Sequence, residues 1–207
     1  MKGFIAVFLS VVVILFSTNL ALGAESQTQG SPYFFSGSLG ISKVNVKDSD
    51  VTDIFGTPLS FKGLSVGGYQ DISNHWGTDV GLKYFSTTQE EESQLLSSYS
   101  YFYNYQIKLY DASGDLDFLY NLTSARQVFR PFVGGGLGLH LIWESLENTT
   151  LQTTVLETRA KFKIGLNMEG GVALQGQKWR LYLSIKHSWI KDYPQTVYCL
   201  GLGVISK

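Results

Sequence analysis

Cysteine and charged residues are scarce in this sequence. Cys199 is the only cysteine in 207 residues, so neither an internal disulfide nor a metal site built from several cysteines can form. Its apolar surroundings favour a buried or lipid-facing thiol. Charged residues make up 16% of the chain and the net charge is −1, which argues against a nucleic-acid partner. No motif assigns a cofactor, and we expect none.

Long apolar runs are also missing beyond residue 30. Polar residues interrupt every later apolar stretch, so membrane insertion would need strands rather than helices. At the N-terminus, a charged Lys2 precedes the apolar run Phe4–Phe16, which is shorter than the roughly 20 residues of a spanning helix. Small residues at 21–24 then predict a signal peptide over 1–23, a polar segment over 24–32 and one domain over 33–207. A retained anchor helix is the alternative, and the polar segment argues against it.

The rest of the chain alternates apolar and polar side chains with a period of two, which is the pattern of β-strands. Abundant glycine and aromatic residues and only four prolines agree with an all-β protein. The alternation predicts eight strands: Tyr33–Val44, Leu59–Asp71, His75–Thr87, Ile107–Leu122, Val128–Glu144, Leu156–Leu174, Trp179–Ile190 and Gln195–Ser206. The second strand contains Gly63, Gly67 and Gly68 and is a candidate for a β-bulge.

The connections between these strands are alternately short and long. Tight polar turns are expected at 72–74, 123–126 and 175–178, and longer connections at 47–58, 88–106 and 145–155. The last connection, Lys191–Pro194, falls on the long side but is short. Outer-membrane barrels place short turns in the periplasm and long loops outside. We therefore predict an eight-stranded antiparallel up-and-down transmembrane β-barrel.

Alternation alone does not say which face points inward, because a soluble lipocalin-type barrel has the same period. Two features favour the membrane barrel. The polar faces are rich in small uncharged residues, which suit a crowded lumen better than a water-exposed surface. Aromatic residues also lie at both ends of the apolar faces, where a girdle at the lipid interfaces is expected. The predicted girdle is Trp76, Tyr84, Phe129, Trp143, Trp179 and Trp189.

One strand carries a family resemblance. After Arg130 the chain reads Pro, Phe, Val, Gly, Gly, Gly, Leu, Gly, which resembles a strand of the outer-membrane β-barrel family that includes the OmpA transmembrane domain, OmpX, OmpW and opacity-type surface proteins. The resemblance implies eight antiparallel strands, insertion by the barrel-assembly machinery, and a role in envelope integrity, adhesion or small-solute passage. It does not indicate a particular activity. Family members usually end on an aromatic residue, whereas this sequence closes on Ser206-Lys207.

The polar faces place charges of both signs inside the barrel. The predicted lumen charge network is Asp79, Lys83, Asp117, Arg130, His140, Glu144, Lys161, Lys163, Glu169, Arg180 and Lys186, joined by Asp115 and Arg159. We expect Glu169 diagonally near Lys186 and Arg130 near Asp117. Because unpaired charges are costly in a low-dielectric interior, these charges should pair and fill the lumen. A selectivity filter is the alternative.

No catalytic or metal-binding set is convincing. His187-Ser188 is similar to the His and Ser of lipid A deacylase barrels, but adjacent strand residues point to opposite faces, so this His cannot readily activate this Ser. Asp48, Asp50 and Asp53 lack the glycine and closing glutamate of a calcium loop.

The sequence therefore favours a non-enzymatic outer-membrane surface protein that supports envelope structure or makes contacts through its loops. A narrow channel for small or apolar solutes is the second hypothesis, and a lipid A-modifying enzyme is the third. Outer-membrane lipid and lipopolysaccharide are the expected partners, and no surface partner can be named. Glu90-Glu91-Glu92 is expected to be a solvated loop tip, with divalent-cation bridging to lipopolysaccharide as the alternative.

Overall fold

The computed structural model describes residues 33–47, 58–94, 102–149 and 154–205. They form eight antiparallel strands paired in chain order, and β1 also pairs with β8, so the sheet closes into a barrel. The strands are β1 (Tyr33–Val44), β2 (Leu59–Asp71), β3 (Trp76–Gln94), β4 (Phe102–Asn121), β5 (Phe129–Thr149), β6 (Thr154–Gln175), β7 (Trp179–Ile190) and β8 (Gln195–Ile205). The predicted fold is confirmed. Among the described residues, no helix is long and apolar enough to cross a membrane. The predicted signal peptide and polar segment lie outside them.

The strands β1, β2 and β7 have the predicted bounds, whereas β3 to β6 are longer than predicted. Parts of the expected loops at 88–106 and 145–155 continue the ladder, with Thr88 opposite Lys108 and Asn148 opposite Val155. These segments have no apolar face, so the period-two signal fades there, while backbone hydrogen bonds to the next strand form whatever the side chains are. The remainder of the long connections, with Asp48, Asp50 and Asp53, lies outside the described residues.

The prediction of a β-bulge in β2 is wrong. The register with β1 runs without interruption, with Gly63 opposite Gly40 and Gly67 opposite Ser36. These glycines instead allow neighbouring groups to come close to the backbone of β2. A side chain on Gly68 would collide with the ring of Tyr33, and one on Gly67 would collide with the backbone of β3.

The apolar faces point outward and the polar faces inward. On β6, Ile164, Leu166 and Met168 are 63%, 61% and 59% exposed, whereas the inward Asn167 and Glu169 are 5% and 6% exposed. A soluble barrel would show the reverse distribution, so the lipocalin-type alternative is wrong.

The six residues predicted to form an aromatic girdle share the outward parity of their strands. Trp76, Phe129 and Trp179 lie near the end of the barrel that carries the short turns, and Tyr84, Trp143 and Trp189 lie towards the other end. Trp179 and Trp189 open and nearly close the same strand. They are 44% and 52% exposed, as expected for rings at a lipid interface.

The two ends of the barrel differ. The short-turn end carries the connections 72–75, 122–128 and 176–178. The long-connection end carries the turn Lys191–Pro194, in which Asp192 has a φ of 71°. That backbone conformation is one that aspartate tolerates better than most residues.

The barrel wall is also unequal in height. β1, β2, β7 and β8 have 11 to 13 residues, whereas β3 to β6 have 19 to 22. Thr154 of β6 already pairs with β5, but β6 pairs with β7 only from Gly165 onward. We call β3 to β6 the tall wall and β7, β8, β1 and β2 the low wall.

Candidate functional site

The centre of the lumen is built around one ammonium group. Lys186 of β7 lies directly opposite Glu169 of β6, so the predicted neighbours are in register rather than diagonal. Lys186 Nζ is 3.3 Å from Glu169 Oε2 and 3.2 Å from Asp115 Oδ2, and it also contacts Asp117. All four side chains are at most 6% exposed. One cation therefore holds three carboxylates from two strands, β4 and β6, that are separated by β5.

The same layer extends to the neighbouring strands. Lys83 of β3 pairs with Asp115. Asn167 donates to Asp117 Oδ1 at 3.2 Å and accepts from the Ser188 hydroxyl at 2.8 Å. We call Lys83, Asp115, Asp117, Asn167, Glu169, Lys186 and Ser188 the central network. It closes the lumen at mid-height with charge-assisted hydrogen bonds.

Asp79 adds a fourth carboxylate next to this network. Oxygen atoms of Asp79, Asp117 and Glu169 lie within 4.8 Å of one another, which is close enough for a shared cation. Lys186 already supplies a cation to Asp117 and Glu169. A cavity of about 20 Å³, lined by Asp79, Lys83, Glu169 and Lys186 among others, has room for about one water molecule. The carboxylates are thus neutralised chiefly by lysine.

Glycines in β5 make room for these side chains. A Cβ on Gly136 would lie 2.5 Å from Asp117 Oδ1, and one on Gly138 would lie 2.7 Å from Asp115 Oδ1. Both glycines have the inward parity of Arg130 and His140. The glycine-rich run of β5 is therefore the wall against which the central carboxylates pack.

A second polar group lies above the central network, towards the long-connection end. His140 Nδ1 is 3.1 Å from Asp111 Oδ2, and Gln195 donates to the same oxygen at 3.1 Å while accepting from Ser42 at 3.2 Å. Neither His140 Nε2 nor the Oγ of the opposite Ser113 has a hydrogen-bond partner in the described part of the chain. Asp111, His140 and Ser113 are thus close in space, but the Ser–His hydrogen bond of a hydrolase is not formed.

The short-turn end of the lumen is closed by a layer around Arg130. Its guanidinium binds both carboxylate oxygens of Asp71, at 2.6 and 2.8 Å, and Gln175 at 2.7 Å. Arg130 was expected near Asp117, and this is wrong. Asp71 belongs to the non-adjacent strand β2, and its carboxylate matches the two-pronged guanidinium across the lumen.

Arg180 lies in the same layer without a direct ion pair in the described part of the chain. Its guanidinium carbon is 3.3 Å from the ring centroid of Tyr69, a cation–π arrangement. A cluster of buried side chains surrounds it: Phe34, Tyr69, Leu119, Phe132 and Ala173. We call these residues, with Asp71, Arg130 and Arg180, the base layer.

The long-connection end of the lumen is apolar. Its buried side chains are Val44, Val46, Leu59, Phe61, Phe85, Ile107, Leu109, Ile142, Ile190, Tyr193, Val197 and Cys199, and we call this set the mouth layer. Cys199 is 7% exposed and lies inside the barrel. Towards this end, large apolar side chains therefore pack among the inward polar groups.

Three predicted lumen charges lie at the rim of the mouth layer. Lys161 Nζ is 2.8 Å from Glu144 Oε2 and donates to the Tyr193 hydroxyl at 2.6 Å. Lys163 Nζ is 2.9 Å from Asp192 Oδ2. This hydrogen bond from Lys163 lowers the pKa of the exposed Asp192 carboxyl. The rim charges thus bind the turn Lys191–Pro194 to the tall wall.

The family model of the outer membrane protein β-barrel domain matches residues 8–205. The chain belongs to this family. It is therefore a protein of the bacterial outer membrane, as predicted. Ail of Yersinia pestis, in complex with the heparin analogue sucrose octasulfate, has a similar fold with a TM-score of 0.53 and 14% identity over 86% of this chain and 100% of Ail. OprG of Pseudomonas aeruginosa has a TM-score of 0.52 and 10% identity over 86% of this chain and 96% of OprG. No curated protein matches the sequence.

In an outer-membrane barrel, His187 and Ser188 lie on opposite sides of the wall. His187 has outward parity and its Nδ1 is 2.9 Å from Thr196 Oγ1, whereas Ser188 is 2% exposed and bonds Asn167 inside. The two side chains therefore do not form a nucleophile and base.

Sequence reasoning missed several residues of the lumen. Asp71 and Asp111 have the inward parity of their strands, which was a signal that could have found them. Asn167 has the inward parity of β6, which is the same signal. Tyr193 lies in a turn, and no strand pattern indicates that it folds back over the lumen.

Proposed function

We propose that this outer-membrane protein is a closed, non-enzymatic barrel whose role is to hold its long-connection end outside the cell for surface contacts. The observation that carries the proposal is the filling of the lumen at three heights. The base layer, the central network and the mouth layer follow one another along the barrel axis. Eight strands enclose a space that side chains alone can fill, and here they do so with paired charges and apolar groups.

The filled lumen argues against the channel hypothesis. A hydrated ion would have to separate Lys186 from its three carboxylates and then displace the mouth layer. Side chains of Phe61, Phe85 and Ile107, each at most 3% exposed, fill that layer. The polar side chains beside them, Asp111, His140 and Gln195, are hydrogen-bonded to one another. Burial of these apolar groups and of charge pairs makes both steps costly.

The enzyme hypothesis has two candidate sites, and the geometry supports neither. His187 and Ser188 are separated by the barrel wall. Asp111, His140 and Ser113 are 5%, 1% and 2% exposed, so a substrate could not reach them without opening the lumen. A surface role needs neither a reactive centre nor a pore.

The tall wall supports the surface role. Strands β3 to β6 continue past the height at which β7 and β8 end, so the ends of these four strands stand away from the barrel rim. We further propose that the long-connection end faces outwards, that the barrel-assembly machinery inserts the protein and that lipopolysaccharide surrounds it.

Planar-bilayer recording tests the closed lumen. The refolded protein should give no stable single-channel currents, while an open porin reconstituted in parallel conducts. Large reproducible currents from the unmodified protein would refute the proposal and favour the channel. Sulfated sugars are suitable first ligands for a surface-binding assay, because the Ail structure contains a heparin analogue.

A further inference from the structure

We propose that the outer surface of the low wall carries a binding site for the phosphate groups of the outer-leaflet glycolipid. Three polar residues with outward parity lie side by side on neighbouring strands: His187 of β7, Thr196 of β8 and Lys43 of β1. Neighbouring strands are about 4.8 Å apart, so His187 and Lys43 flank Thr196 within about 10 Å. We call these three residues the outer row. The proposal rests on the outward orientation of the long-connection end proposed above.

Part of the outer row is already ordered. His187 Nδ1 is 2.9 Å from Thr196 Oγ1, and the ring of Trp189 meets the imidazole edge to face with centroids 4.6 Å apart. This contact holds the imidazole in place at the surface. Its other nitrogen, Nε2, is then a candidate group for a ligand oxygen, together with the ammonium of Lys43.

The outer row lies where the apolar outer face of the low wall ends. One step nearer the short-turn end, the same strands carry Ile185, Tyr198 and Ile41, which are 52%, 44% and 51% exposed. Lys62 of β2 lies opposite Ile41, diagonally below Lys43. Lysines at this boundary can keep their stems against the acyl chains and extend their ammonium groups to the head groups.

The outer surface of the low wall carries positive charges and no negative ones. No outward position of the strands β7, β8, β1 or β2 carries Asp or Glu. Lys43 and Lys62 are both exposed and have no ion pair among the described residues. The tall wall, by contrast, carries both signs on its outer surface: Glu90, Lys108 and Glu147.

An anionic ligand at the low wall fits this distribution of charge. The ligand must also have acyl chains, because the outer row borders the apolar face. Phosphate oxygens accept from ammonium groups and from an imidazole N–H. When the Thr196 hydroxyl donates to His187 Nδ1, the imidazole proton is on Nε2 and can be donated to the ligand. A phosphorylated glycolipid combines both properties.

The test is a titration of fluorescent bisphosphorylated lipid A into the protein refolded in zwitterionic detergent. The double variant K43Q/K62Q should bind about 25-fold more weakly, since each lysine near anionic lipid contributes about fivefold. The matched control R126Q/K178Q removes two exposed cations at the short-turn end and should change the affinity less than twofold. Heat-dependent gel mobility and the urea midpoint establish that each variant is folded.

A second comparison removes the phosphates from the lipid instead of the lysines from the protein. The affinity of dephosphorylated lipid A for the unmodified protein should be as low as the affinity of lipid A for K43Q/K62Q. Equal affinity for the two lipids would overturn the proposal, as would an equal loss in both double variants. Competition by inorganic phosphate at the same concentration would also overturn it, because the site would then bind a free anion. If K43Q/K62Q does not fold, the comparison of the two lipids decides alone. If the protein gives no channel currents and also does not bind lipid A, this site is refuted but the proposed function is not.

Discussion

Replacement of Lys186 by methionine should destabilise the barrel far more than neutralisation of Glu169. Lys186 is the shared partner of Asp115, Asp117 and Glu169, and its side chain is 4% exposed. Methionine keeps most of the volume but removes the charge, so Asp117 and Glu169 lose their ion-pair partner. Breaking a buried ion pair from one side costs about 3–5 kcal/mol. We expect K186M to lower the free energy of unfolding by an amount in or above that range.

The variant E169Q is the matched control. The sequence alone suggests that loss of Glu169 leaves Lys186 without a partner, but the structure gives this lysine two further carboxylates. The expected cost is therefore one charge-assisted hydrogen bond, about 1.5–3 kcal/mol. Urea unfolding in phospholipid vesicles, followed by tryptophan fluorescence, measures both free energies of unfolding. Equal costs for the two variants, or a midpoint for K186M unchanged from the parent, would refute the central position assigned to Lys186.

Three further outcomes test other parts of the structure. G136A should cost about 1–3 kcal/mol, because its new Cβ would collide with the backbone oxygen of Leu116 and with the Asp117 carboxylate. G81A is also inward, but the nearest atom is 3.8 Å from the new Cβ, so this variant should cost much less in the same unfolding assay. Lys163 lowers the pKa of Asp192 in the folded state, so their contact should stabilise the fold fully above the unfolded pKa of about 3.9. This stabilisation should disappear as the pH falls through the folded-state pKa. The free energy of unfolding of D192N should therefore differ from that of the parent at pH 7 and match it in strong acid. In a C199A background, an impermeant maleimide should label intact cells carrying E157C and spare those carrying K178C, and the opposite pattern would mean that the barrel is inverted.

The fold could be predicted because the outward positions of each strand are mostly apolar, which gives a period of two along the chain. The bounds of β7 are recovered at both ends because Trp179 and Ile190 lie beside turns that contain Gly176 or Pro194. The tops of β3 to β6 were not predicted, since Thr88 and Asn148 lie in strand ends that have no apolar face. There the ladder depends on the neighbouring strand, which single-strand patterns do not show.

The lumen could be predicted only where partners are adjacent in the sheet. Glu169 and Lys186 face each other across one tight turn, so sequence reasoning could place them together. Arg130 binds Asp71 across the barrel, and the distance between non-adjacent strands depends on the tilt and stagger of the whole sheet. The mouth layer was missed for a different reason: Phe61 and Phe85 have the parity that carries polar residues elsewhere on their strands.

The unequal height of the wall leaves two sheet edges open to association. Among the described residues, no strand pairs with β6 between Thr154 and Ile164 on the side of β7. An open edge is a template for another chain, and natural sheets protect such edges with inward charged residues. Glu157, Arg159, Lys161 and Lys163 occupy the inward positions of that stretch. Arg159, Lys161 and Lys163, which the sequence assigned to the lumen, are therefore also placed to protect an open sheet edge against unwanted strand addition.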